Sequence, residues 1–154
     1  MSVHLESGQS KAEQRASQLR DALNCFDAKD LSIQALDHDV SIVAGDLNIR
    51  LDLPADMDAE SMLHRSLQGC WGEDSERASF GNQRAWHSFL QYDQLLSGQA
   101  DQLAHVGLQE GPICFPPTYR FFKGANEYDT ARTPAWCDRI LYKSSGSRLL
   151  SYQA

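Results

Sequence analysis

The chain has 154 residues, 42% of them hydrophobic, and a formal net charge of −7, which is enough apolar material for one folded domain and too much for a disordered tail. Lysine and arginine are scattered through it, so a long nucleic-acid duplex, which draws on a basic face, is not an expected partner. The four cysteines, Cys25, Cys70, Cys114 and Cys137, contain no C-x-x-C pair for zinc or redox work, no apolar run approaches the roughly 20 residues that span a bilayer, and no basic segment precedes an apolar one, so the expected setting is reduced, soluble and cytoplasmic.

In chain order, Ser2–Leu5 reads as a strand with His4 near its end. Ser10 and Glu13 form a capping box, and Ala12, Ala16, Leu19 and Leu23 recur at helical spacing, which predicts a helix over about residues 10–26. Val40–Ala44 is a short apolar run stopped by Gly45, the pattern of a buried strand, with Asp46, Leu47 and Asn48 at its exit. Leu53-Pro54 breaks the chain, and Asp58 can cap a helix carrying Met62, Leu63 and Leu67. Residues 69–81 read as a loop or insertion. Trp86, Phe89 and Leu90 mark a helical face running to about Leu96, and a weaker helix covers 99–105. The paired prolines of GPICFPPTYRF exclude a helix or a central strand. Residues 124–133 read as a polar loop, and Cys137–Tyr142 and Arg148–Tyr152 as two strands joined by a Ser/Gly turn. The order of elements predicts an α/β sandwich of sheet and helices. No internal repeat or low-complexity stretch appears.

Three groups of residues could do chemistry, and each has a plainer alternative. Asp46 and Asn48, at i and i+2, point the same way if extended geometry persists past the strand. A carboxylate and an amide at a sheet rim suit the addition of water to phosphorus, the acid handling the water's proton and the amide the developing charge; an ordinary Asx turn is the alternative. His4 is either structural or catalytic. Asp138 and Arg139 are either a surface ion pair worth about 0–1 kcal/mol, or an acid that orients an imidazole beside an arginine that holds structure or grips phosphate through its planar fork. Arg120, Lys123 and Arg132 add positive charge nearby, as a solvated face or a phosphate site.

Several stretches occur together and in order: VHLESGQSKAEQR, VAGDLNIRLDLP, YDQL at Tyr92–Leu95, QEGPICFPPTYRF and YDTARTPAWCDRIL. The set resembles the inositol polyphosphate 5-phosphatases, including the synaptojanin type, of the endonuclease/exonuclease/phosphatase superfamily. The resemblance implies part of a four-layer α/β sandwich and a Mg²⁺-dependent phosphatase acting at the 5-position of phosphoinositides or soluble inositol phosphates, with membrane contact through the substrate headgroup. It further implies that Asp46 activates the attacking water, Asn48 stabilises the transferring phosphoryl group, His4 contacts its oxygens, and Asp138 orients a second histidine. Tyr119, Arg120 and Arg132 match positions that hold a neighbouring 4-phosphate, and Arg139 is a further candidate for substrate binding. Such a set fits phosphoryl transfer, which asks mainly for positioning and charge neutralisation.

The chain departs from the family pattern in places. No residue matches the glutamate that binds Mg²⁺, which is expected upstream of Met1, and the sequence stops before the family's Ser-Asp-His segment. Thr130 and Ala131 stand where a lysine is usual, and Arg120 replaces the lysine of PPTYK. An apolar sheet face is therefore expected to be exposed. The competing readings are a 5-phosphatase and a catalytically inactive remnant or interaction module. A superfamily nuclease has no reason to carry PPTYR or PAWCDR.

Overall fold

A computed structural model describes residues 1–24, 34–68, 86–97, 107–125, 127–146 and 148–154. The loop expected over 69–81 and the helix expected over 99–105 lie outside these residues. The strands are β1 (Ser2–His4), β2 (Val40–Asp46), β3 (Gln109–Glu110) and β4 (Asp138–Ser144). They form one mixed sheet in the order β1-β2-β4-β3, with β1 parallel to β2 and the other neighbours antiparallel.

The parallel pair is joined across helix α1 (Ala12–Asn24), the kind of crossover that parallel strands require. Its apolar face is the one its spacing predicts: Leu19 and Leu23 are buried with Val43, Leu47, Leu95, Leu108 and Leu141 in one core cluster under the sheet. Each leucine buried there contributes about 1.5–3 kcal/mol. Arg15 is also buried on this helix, its guanidinium donating to the carbonyls of Glu6 and Gly8 and to the Gln94 side chain. Helix α2 (Ala59–Gln68) starts as Asp58 predicts, with the Ser61 N–H donating to Asp58 Oδ1 at 2.8 Å. Met62 on α2 packs with Leu51, Trp86, Phe89, Ile113 and Trp136 in a second cluster.

The structure corrects three expectations. β2 does not stop before Gly45 but runs through it to Asp46. The segment from Trp86 carries the 3-10 turn Leu90–Tyr92 where a longer helix was expected, although Trp86, Phe89 and Leu90 are buried as their spacing implies. Residues 148–152 form no strand; Tyr152 meets the sheet through its side chain, its hydroxyl donating to Glu110 and accepting the Ile140 N–H.

Register assigns the faces of the sheet. Val43 pairs with Leu141 and Gly45 with Arg139 on the covered face, while Ile42 pairs with Tyr142, Ala44 with Ile140 and Asp46 with Asp138 on the other. That second face is apolar yet open: Val40, Ile42 and Ile140 are 49%, 51% and 45% exposed. A strand apolar on both sides has the pattern of one buried on both sides, so the exposed face expected from sequence is present.

Cys137 sits at the start of β4 with its thiol against the Ile49 carbonyl, 1% exposed, and burial pushes its pKa up to about 12. The folded chain holds this proton where an unfolded thiol gives it up, so stability is full below pH 9.0 and declines as pH rises toward about 12. In a chain with Cys25 and Cys70 replaced by serine, a thiol reagent at pH 8 is expected to label exposed Cys114 at once. It should label Cys137 only as the chain unfolds. Equal rates for the two would contradict this placement.

Candidate active site

The rim at the end of β2 is built by three adjacent strands. His4 ends β1 opposite Asp46, and Asp46 in turn lies opposite Asp138 on β4. The three side chains share the open face of the sheet. His4 Nε2 is 3.7 Å from Asp46 Oδ2, with His4 largely in solvent and Asp46 about one-third exposed. Two carboxylates directly across a strand pair repel each other, so this rim favours a cation beside them.

Asp46 and Asn48 do not simply point together. Asn48 adopts φ +50°, which ends the extended geometry, and its N–H donates to Asp46 Oδ1 at 2.8 Å. This is the Asx turn that the plainer alternative described. It also leaves Asp46 Oδ2 as the oxygen facing His4. The Asn48 side chain is buried and held at both ends: Nδ2 donates to the Leu5 carbonyl at 2.9 Å, and Oδ1 accepts from Arg50 Nη2 at 2.8 Å. These two bonds decide which way the amide faces.

Arg50 connects this rim to the next group. Its guanidinium lies 4.4 Å over the Tyr119 ring, a cation–π contact, while its Nε has no partner although Arg50 is only 8% exposed. Arg50 and Arg132 line a cleft of about 480 Å³ together with Gln9, Asp52 and Met57. Arg132 is exposed at its mouth. Tyr119 is thus brought to the cleft through Arg50, whereas Arg120 turns aside to Asp129, at 3.1 Å.

Besides Arg120, which pairs with Asp129 and does not line the cleft, Arg139 is set apart from a substrate role by its burial. It lies on the covered face, its side chain fully buried, with bonds of 2.6 Å each from Nε and Nη2 to Glu110 and 2.8 Å from Nη1 to Asp93. Burial opposes its charge, but hydrogen bonds to Glu110 and the fields of Asp93 and Glu110 outweigh that and hold it protonated above its ordinary value. Burial pushes the Asp93 carboxyl up, while Arg139 pulls it back. A guanidinium so buried and so paired holds structure and does not reach a substrate at the surface.

Sequence reasoning missed Arg50, Asp93, Gln94 and Glu110. Their signal lies in the motifs themselves: Arg50 ends GDLNIR, Asp93 and Gln94 are in YDQL, and Glu110 is in QEGP. Gln94 is the hub: its Oε1 accepts from Arg15 and the Arg50 N–H, and its Nε2 donates to the Gln9 carbonyl and Asp52.

No group of three or more His, Cys, Asp or Glu is arranged to hold a metal among the described residues. Mg²⁺ takes one or two carboxylates, waters and substrate phosphates, and Asp46 and Asp138 are the carboxylates that the rim offers.

The model of endonuclease/exonuclease/phosphatase family 2 matches residues 1–154, and the chain belongs to that family. Within it, similarity runs to the inositol polyphosphate 5-phosphatases. The chain is 36% identical over 125 residues to type I inositol polyphosphate 5-phosphatase 8 of Arabidopsis thaliana, covering 76% of this chain and 22% of that protein. It is 33% identical over 147 residues to phosphatidylinositol 4,5-bisphosphate 5-phosphatase A of Homo sapiens, covering 93% and 13%. Among solved structures, the inositol polyphosphate 5-phosphatase domain of SPsynaptojanin in complex with inositol (1,4)-bisphosphate and calcium ion matches with a TM-score of 0.71 and 28% identity. That match covers 94% of this chain and 38% of that domain, so the fold is the family's α/β fold and the chain spans well under half of it.

Proposed function

We propose that this chain provides part of the catalytic surface of an inositol polyphosphate 5-phosphatase. Its substrates are phosphoinositides such as phosphatidylinositol 4,5-bisphosphate, or soluble inositol polyphosphates, met at the cytosolic face of membranes. The observation that carries the reading is the row His4, Asp46, Asp138 across three strands, adjoining a cleft that holds Arg50 and Arg132. In this reading Asp46 Oδ2, the oxygen not used by Asn48, takes the proton of the attacking water. Asn48, its amide locked by Leu5 and Arg50, presents to the phosphoryl group a donor that needs no reorganisation. His4 donates to a phosphoryl oxygen from the exposed end of β1. Arg132 at the cleft mouth and Arg50 on the cleft wall bind the adjacent phosphate, with Tyr119 against the Arg50 guanidinium. Mg²⁺ is the proposed metal, neutralising phosphate charge. Asp138 has the position to orient an imidazole against this rim.

The test is phosphate release from a 4,5-bisphosphorylated lipid with and without Mg²⁺, alongside calorimetric binding of inositol 1,4-bisphosphate. Asp46→Asn is expected to lower release by about 10³-fold or more, since such groups act as a unit. Arg132→Met is expected to weaken binding of the bisphosphate. Release no greater than that of Asp46→Asn from a folded chain would favour the second reading, an inactive member or interaction module.

A further inference from the structure

The segment between Tyr119 and Ala135 folds back on itself as a narrow hairpin. The Asp129 N–H donates to the Arg120 carbonyl and the Phe122 N–H to the Glu127 carbonyl, both at 2.9 Å. Between these bonds Phe121 faces Tyr128 across an antiparallel bridge, their rings stacked at 4.4 Å and 27°. The Ala125 N–H closes the tip on the Phe122 carbonyl, and Gly124 makes the turn at φ +80°. At the base, Tyr119 and Ala135 exchange both backbone bonds, and Arg120 pairs with Asp129.

This framework makes the exposure of its apolar tip a property of the fold. Phe121 stays 40% exposed despite its stack, and Phe122 is 49% exposed, with Lys123, Gly124 and Ala125 also in solvent. Aromatic rings held in water by a self-bonded hairpin mark a contact surface. The charges around them indicate which kind. Asp129 is buried and satisfied by Arg120, whereas Lys123 and Arg132 are exposed, with Glu127 as the nearby exposed acid. Exposed rings beside lysine and arginine suit the interface of an anionic bilayer, where rings enter the headgroup layer and cations meet lipid phosphates. The net charge of −7 rules out adsorption by the whole surface and confines attraction to a local patch. The hairpin base is continuous with the proposed substrate cleft, since Tyr119 carries Arg50 and Arg132 lines the cleft mouth.

We propose that the Phe121-Phe122-Lys123 tip is a membrane-surface anchor that seats the cleft at the headgroup layer of an anionic bilayer. The anchor rests on the phosphoinositide reading for its purpose but not for its test. The full chain is sedimented with vesicles of phosphatidylcholine alone or with phosphatidylserine, none containing phosphoinositide. The wild-type chain is expected to partition to the anionic vesicles, and Phe122→Ser with Lys123→Glu to lower that partition by about tenfold or more. Both positions are exposed, so the variant retains its circular dichroism spectrum. Ile42→Thr, on the open sheet face, is the control for non-specific adhesion and is expected to bind as the wild type does. Equal binding by the tip variant, equal binding to neutral vesicles, or loss on Ile42→Thr in place of the tip variant would overturn the anchor. Asp46→Asn is expected to leave vesicle binding intact, so failure of the catalytic reading and failure of the anchor give different results.

Discussion

Gly45→Ala is expected to detach β1 from the sheet. At this position φ is +142°, and a Cβ would lie 2.0 Å from the Val3 carbonyl oxygen, a backbone atom that cannot move aside while β1 pairs with β2. The left-handed conformation alone costs an alanine about 1–3 kcal/mol, and relieving the overlap requires the strands to part. The bonds at risk are those of the Ala44 N–H to the Met1 carbonyl and of the Leu5 N–H to the Asp46 carbonyl. Because the Leu5 carbonyl also holds Asn48, the loss should reach the rim itself. Chemical denaturation is expected to show a loss of more than about 3 kcal/mol. Hydrogen exchange is expected to show deprotection at Ala44 and Leu5. A variant of wild-type midpoint with those amides still protected would refute the close approach of β1 and β2.

Arg139→Met is expected to be comparably damaging, for an electrostatic reason. It strands the Asp93 and Glu110 carboxylates, 0% and 5% exposed at their side chains, without their cation. Removing one partner of a buried ion pair costs about 3–5 kcal/mol, a large part of a stability of about 5–15 kcal/mol. Thermal unfolding followed by circular dichroism should therefore drop by roughly 10 °C for a chain of this size. Adding Glu110→Met should recover part of the loss, since one buried charge is then removed along with the group it lacked. If Arg139→Met melts with the wild type, Arg139 is not the lock that the geometry describes and its place as a substrate contact reopens.

How far the sequence reaches can be judged from particular residues. The apolar run Val40–Ala44 and the spacing of Leu19 and Leu23 are local signals, and they placed β2 and the buried stripe of α1 correctly. Asp58 capped α2 as its position predicts. Arg148–Tyr152 failed as a strand because a five-residue apolar pattern does not say whether an edge is available to pair with. Trp86, Phe89 and Leu90 kept their burial, and Trp86 and His87 are helical, but the helix does not run on to Leu96, because burial follows hydrophobicity whereas the backbone follows tertiary context. Gly45 read as a stop because its role is set by Val3, some forty positions earlier.

The same division runs through the candidate site. The sequence by itself determined the family's residue set, in order, from VHLESG to PAWCDRIL, because motif identity is a property of the linear chain. Through that resemblance it led to the expectation that His4, Asp46, Asn48 and Asp138 belong to one chemistry. Only the tertiary structure decided that His4, Asp46 and Asp138 are neighbours on three strands, since that depends on the register of pairs far apart in sequence. Only it decided that Arg139 faces the core while the adjacent Asp138 faces the rim. In a strand successive side chains point to opposite faces, so one position along β4 separates a buried structural cation from a carboxylate at the candidate active site.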